Sequence, residues 1–518
     1  MTIARHRVSH GALAVAAALA LVASLVLSAC GASAGRAKDD RRIYVAITDS
    51  PTDFDPRVGI SESSQRVHQL IFSSLFTLDA NLRVVPELAT GWTSPDPLTY
   101  LVPLRRGVRF HDGSELTADD VVFTYRSFLD PKFISGRKGA YAALRAVDAV
   151  DRYTVRFQLA EPFGSFPMQL VMGIVRAGAT NVSTQPMGTG PYVFDFAAPD
   201  DKVVVRRFDA YFNGPARNAG VVLKVIPDDT MRGLELRKGE IDVVVNDLSP
   251  DIVRELERTG QVAVTTAPGV DYAYVGLNVR DPQLKDVRVR QALAYAVDRG
   301  AIVNHLRRGL ATPAAGILPP MSWAYDPALP DFPHDPARAR RLLDEAGYRD
   351  PDGDGPRPRF TLIMKSSTVE FTRLQATVLQ QDFKRVGVDL VVRSYEFGTF
   401  LSDIIRGNFQ LCTLQWVGVT DPDMLRRVYH SSQVPPTGWN RGFFTDPAVD
   451  ALVERASRST DDAERRRLYG EAQRRVADAV PAISLWHKTN VVIAQRHVSG
   501  VALSPTAHFS LLKDISRQ

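Results

Sequence analysis

Few residues in this sequence could do chemistry, and they are scattered. Asp350, Asp352 and Asp354 in the run DPDGDG have the alternating spacing that opens a calcium loop. The twelfth position counted from Asp350 is Thr361, where such a loop needs a bidentate glutamate. The run therefore reads as an acidic turn. His430 offers one imidazole, whereas transition-metal sites need several nitrogen or sulfur ligands. Gly188-Thr189-Gly190 is followed by Pro191 and Tyr192 and not by the Gly-Lys-Ser/Thr of a phosphate loop, so it reads as a tight chain crossing. There is no Gly-x-Ser-x-Gly elbow and no His-Glu-x-x-His pair. These absences point to binding without catalysis, and neither cofactor nor metal is expected.

The most promising binding stretch is Gln410 to Asp423, QLCTLQWVGVTDPD. It begins as an apolar strand (Leu411, Cys412, Leu414), then breaks after Gln415 and Trp416 into a turn with Val417, Gly418, Asp421 and Asp423. One reading is a core strand followed by an Asp-Pro turn. The other is the wall of a small-molecule or peptide cleft, built from an aromatic and a carboxylate-bearing turn. Tyr272, Tyr274 and Asn278 precede a helix capped by Asp286 and carry the same two readings, core aromatics or cleft lining.

Chemistry of another kind is written at the N-terminus. Arg5, His6 and Arg7 precede an uncharged run, GALAVAAALALVASLVL, which ends in Leu27-Ser28-Ala29-Cys30. A basic start, a short apolar run and small residues before the break are features of an export signal, 1–29, and not of a membrane span. LSAC resembles the lipobox of bacterial lipoproteins, in which the cysteine thiol takes a diacylglyceryl group. Lipidated Cys30 would anchor the chain to the outer face of the cytoplasmic membrane or in the periplasm, with 30–40 as a small, polar tether. That leaves Cys412 without a partner, so the exported chain is expected to rely on a large core and no disulfide.

Positioning elements follow from length and pattern. A chain of 518 residues with 45% hydrophobic and 23% charged content is an ordinary globular sequence, long enough for two or three lobes. Its net charge of +5, from 63 basic and 58 acidic residues, is too small an excess to point to nucleic acid. Arg42 to Ile47 reads as the first strand, and Ser61 to Phe76 as an amphipathic helix burying Val67, Leu70, Ile71 and Leu75. Tyr100-Leu101-Val102 and Val108-Arg109-Phe110 read as short strands. Thr117 caps a helix with Asp120 three residues on, an acidic form of the capping box. Lys202 to Arg206, Val221 to Ile226 and Ile241 to Val245 are valine-rich strands. Ser249-Pro250 and Asp335-Pro336 open helices that Gly260 and Gly347 close. Strands alternating with helices imply α/β layers.

Several blocks carry a resemblance. PELATGW (86–92), LRRGVRFHDGSELTADDV within 98–125, Gly188 to Tyr192, LKVIPDDT (223–230), YVGLNVRDPQLKDVRVRQALAYAVDR (274–299) and FTDP (444–447) occur in this order across the chain. Together they resemble the family-5 extracellular solute-binding proteins of peptide and nickel ABC importers. The resemblance implies a two-lobed, periplasmic-binding-protein-like α/β fold with an extra inserted domain. Lobe I would comprise 41–72, 187–273 and 493–518, domain II 73–186, and lobe III 274–492. It also implies a monomeric binder that captures a peptide or related small solute by hinge closure and hands it to ABC permease and ATPase subunits. A chelated nickel complex or an oligosaccharide is the alternative cargo, and a secreted hydrolase the rival of another class. In peptide-binding relatives the strand ending in tryptophan lines the cleft, which places Gln415, Trp416, Val417 and Gly418, with Tyr274 and Asn278, against ligand. Peptide binders then hold the ligand's ammonium with an aspartate three residues after the tryptophan, and here that position is Val419. Either Asp421 or Asp423 takes over, or the ligand has no free amine.

Overall fold

The protein is described by a computed structural model over residues 41–353 and 355–518. The expected signal, Cys30 and the tether lie outside the described residues. Among the described residues, no helix is long and apolar enough to cross a membrane.

Valine-rich strands build the first core. Ile43–Ile47 runs parallel to Gly220–Val225 on one flank and to Val243–Val245 on the other. Lys202–Arg207 and Tyr192–Ala198 extend the sheet antiparallel. Inward residues such as Val45, Val205 and Leu223 pack on Val67 and Leu70 of the helix Glu62–Ile71 and on Phe509 and Leu512 near the C-terminus. Each such buried side chain contributes about 1.5–3 kcal/mol. The helix starts at its Ser61 cap, which accepts from the Ser64 amide, but ends five residues before the expected Phe76. Two causes are visible. Gly188 and Gly190 press against the Ile71 carbonyl, where any Cβ would overlap backbone, and Phe76–Leu78 is drawn into pairing with Val84–Pro86.

A second core belongs to 75–174. Thr93–Asp96, Thr99–Pro103, Thr154–Leu159 and Leu144–Asp151 form a separate four-stranded sheet in that order. The helix Ala118–Arg126 covers it, and the Asp120 carboxylate accepts from the Thr117 amide at 2.8 Å, as the capping-box spacing requires. The expected strand at Val108 to Phe110 is reduced to a single bridge between Arg109 and Glu115, because a turn at Gly113 folds the chain back at once.

The remaining strands belong to 262–495. Val388–Tyr395, Phe360–Ser367 and Leu411–Trp416 lead to the long strand Val262–Leu277, which pairs along its length with Ala482–Gln495. Beyond Ala482–Gln495 the sheet continues into Val243–Val245 and the first core. The register of the long pair shifts at two places, a small step between Ala273 and Tyr274, where Leu485 is the extra residue, and a larger one just before it. Between the pairs Pro268↔Thr489 and Tyr272↔His487, three residues face Lys488 alone. A bulge of this kind bends and twists a strand locally. Gly269 is required there, since a Cβ would overlap the Lys488 carbonyl oxygen. Cores of Val275, Leu293, Leu362 and Trp486, and of Trp416, Leu468 and Tyr469, lie on the far side of the bulge from the first core.

Candidate functional site

The turn after Trp416 docks on this bulge. The Val419 amide donates to the Val270 carbonyl at 3.0 Å, and the Gly418 amide to Asp271 Oδ1 at 2.9 Å. Gln415 reaches the same carboxylate at 3.1 Å. The stretch expected to line a cleft therefore sits where the two halves of the long sheet meet.

Four aromatic rings stack outward from the strand pair. Tyr272 stacks on Tyr274 (5.6 Å, 8°), Tyr274 on Trp416 (6.2 Å, 9°) and Trp416 on Trp439 (5.4 Å, 27°). Arg441 lies over Trp416 at 4.4 Å and Arg427 over Trp439 at 5.7 Å, within cation–π range. Trp416 is only 9% exposed, while Trp439 is 41% exposed and forms part of the wall of a cavity of about 650 Å³. That volume suits a small solute or short peptide. Its walls come from two parts of the chain: residues 136–163, including Arg137 and Glu161, and residues 426–458, including Arg426, Arg427 and Arg458.

The two walls are joined beside the cavity. The Gly164 amide donates to the Ser457 carbonyl at 2.7 Å, and Ser165 Oγ donates to Asp421 Oδ1 at 2.9 Å while accepting from Arg465 at 2.6 Å. Arg83 pairs with Asp462 at 3.1 Å. A Cβ on Gly164 would overlap the Ser459 carbonyl oxygen, so the contact requires glycine.

The eight residues expected to bind ligand have different fates. Trp416 and Tyr274 are brought together in the aromatic stack. Gln415, Val417 and Gly418 are exposed, Val417 at 73%. Asn278 is placed away from the stack, 6% exposed, donating to the Gly407 and Phe409 carbonyls at 3.2 and 3.0 Å. Asp423 is fully buried and paired to Arg426 at 3.0 Å and Arg427 at 3.4 Å. Asp421 accepts from Ser165 and from the Asp423 amide through Oδ1, while its Oδ2 is buried without a partner. Burial, with the Asp423 charge beside it, pushes the Asp421 pKa up. Val419 is 1% exposed, part of the hydrophobic core. None of the eight lines the large cavity. Of the residues that do, the sequence singled out only His430, because Arg137 and Trp439 sit in loops with no periodic signal. A tryptophan in the Thr-Gly-Trp-Asn turn, 437–440, is a further signal of an exposed aromatic.

His430 is committed as well. Nε2 lies 3.0 Å from Glu454 and Nδ1 accepts from Ser432. Cys412 is free and buried, and burial pushes its thiol up to about 12.

Residues 83–435 match the sequence profile of the bacterial extracellular solute-binding proteins, family 5. Heme-binding protein A of Haemophilus influenzae is 28% identical over 528 residues, covering 93% of this chain and 95% of that protein. The dipeptide-binding protein of Escherichia coli is 28% identical over 496 residues, covering 88% and 91%. The oligopeptide-binding protein AppA of Bacillus subtilis, solved with a nonapeptide, superposes with a TM-score of 0.75 at 25% identity, covering 93% of this chain and all of that one. The fold, the order of the motifs and these matches agree: the chain belongs to family 5 of the bacterial extracellular solute-binding proteins.

Proposed function

We propose that this protein is the lipid-anchored substrate-binding component of an ABC importer, capturing a peptide or related small solute between its lobes and presenting it to permease and ATPase subunits. The observation that carries this reading is the 650 Å³ cavity walled by two separately cored parts of the chain. Lobe I is read as 41–72, 187–273 and 493–518, domain II as 73–186 and lobe III as 274–492. The bulge at Gly269 is the natural place for a hinge, because with the neighbouring step at Ala273 it interrupts the long strand pair that links lobes I and III. Closure would bury the solute without altering it, so no activated nucleophile is needed. Trp416 and Tyr274 support the cavity wall through Trp439, and the remaining expected site residues act through the turn that holds them.

Native mass spectrometry of freshly purified protein tests this. One solute per chain, released intact on unfolding, is expected, and release of a cleaved product would reverse the reading. The anchor is tested separately: Cys30→Ala should move the protein from the membrane pellet to the soluble fraction, and an unchanged pellet would remove the anchor from the proposal.

A further inference from the structure

We infer that the solute is an anion without a free amine, held by a cluster of arginines that closes around it. The inference rests on the cavity being the binding site proposed above. Four guanidiniums line that cavity, Arg137, Arg426, Arg427 and Arg458, against two carboxylates, Glu161 and Glu454. Glu454 is already bonded to His430, and Glu161 is exposed, its charge acting on Arg426. Arg426 and Arg427 share one buried carboxylate, Asp423, so the pair keeps a positive surplus. Arg137 and Arg458 make no ion pair among the described residues.

Arg137 is the most telling. It donates through Nη2 to the Gly59 carbonyl at 3.3 Å, but its Nε is buried with no partner. It lines both the 650 Å³ cavity and a neighbouring one of about 630 Å³. Burial lowers its pKa, and no carboxylate is paired with it among the described residues. A guanidinium held in this way without a counter-charge is costly. A carboxylate or phosphate on the solute would relieve that cost, since either matches the planar fork of an arginine. The carboxylates near these walls already stand beside a cation or a donor, Glu454 by His430 and Glu161 by Arg426. Val419 is in the core, Asp423 is fully buried on its arginines, and Asp421 is tied to Ser165. The half-exposed face of Trp439 supplies the apolar part of the wall.

The test is a thermal-shift and calorimetric comparison using the mature chain. The amine-free anions are citrate, inorganic pyrophosphate and N-acetylglutamyl-glutamate. The zwitterions are glycyl-leucine and trialanine, and maltotriose is the neutral solute. Stabilisation by at least one amine-free anion is expected, with none by the zwitterions or the sugar. That binding should weaken about tenfold or more in Arg137→Gln and in Arg458→Gln, each removing one charge-assisted contact, while the unliganded melting temperature of Arg458→Gln stays that of the parent. Stabilisation by a zwitterion or maltotriose, or anion binding untouched by both substitutions, overturns the inference and leaves the importer reading standing. If no solute of any class binds, both fall together.

Discussion

At the residue scale, two tryptophans divide the work that the sequence assigns to one. A cleft-lining Trp416 should be replaceable by alanine without much loss of unliganded stability. Its position between Tyr274 and Trp439, under Arg441, makes it a packed ring. Trp416→Ala should therefore lower unfolding stability by about 3 kcal/mol or more in denaturant titration, as truncation of a buried aromatic does. Trp439→Ala, at the half-exposed end of the stack, should leave the unliganded midpoint within about 1 kcal/mol and weaken solute binding. Equal effects of the two substitutions on unliganded stability would show that the stack does not separate support from contact.

At the scale of elements, the contact beside the cavity is built on backbone. Gly164 and Ser165 follow the strand Thr154–Leu159 and meet Ser457 and Ser459 at the end of the helix Pro447–Arg458. Gly164→Ala would force these elements apart without touching either core. Small-angle scattering of the variant should show a larger radius of gyration than the parent, with secondary structure unchanged by circular dichroism. An unchanged radius would mean that the loop yields while the two walls stay in contact. The long strand pair offers a place for such opening: its register is broken only between Pro268 and Tyr274, so the change in angles can be confined to that short stretch and the residues facing it.

At the scale of the whole molecule, acid should act on several parts at once. His68, His111 and His487 each place Nε2 3.1 Å from a backbone carbonyl, of Asp53, Gly190 and Gly316 respectively. Burial lowers the pKa of each from 6.5 to about 4. A histidine whose folded value is depressed contributes stability that is fully present above its unfolded value and is lost as pH falls toward the folded one. The window here runs from 6.5 down to about 4. For the two most buried, His68 and His487, the loss is on the order of 3 kcal/mol each at the lower end. The denaturant midpoint should fall steeply across this window, and His487→Gln should flatten part of the slope. A flat profile down to pH 4 would mean that the rings are hydrated in solution.

The sequence by itself determined the α/β class, the family and most local elements, because these are written in short-range chemistry. Thr117 with Asp120 starts a helix wherever it is placed, Asp286 and Ser249-Pro250 do the same, and valine alternation makes strands. It also showed the departure at Val419. What it could not decide was which aromatic faces the cavity, or whether Asp421 and Asp423 are free. Those answers depend on residues far apart in the chain: Ser165 meets Asp421, Trp439 stacks on Trp416, and Arg137 and Arg427 line one cavity. Only folding brings these groups together, and burial then commits both aspartates to internal partners and leaves Arg137 without a counter-charge.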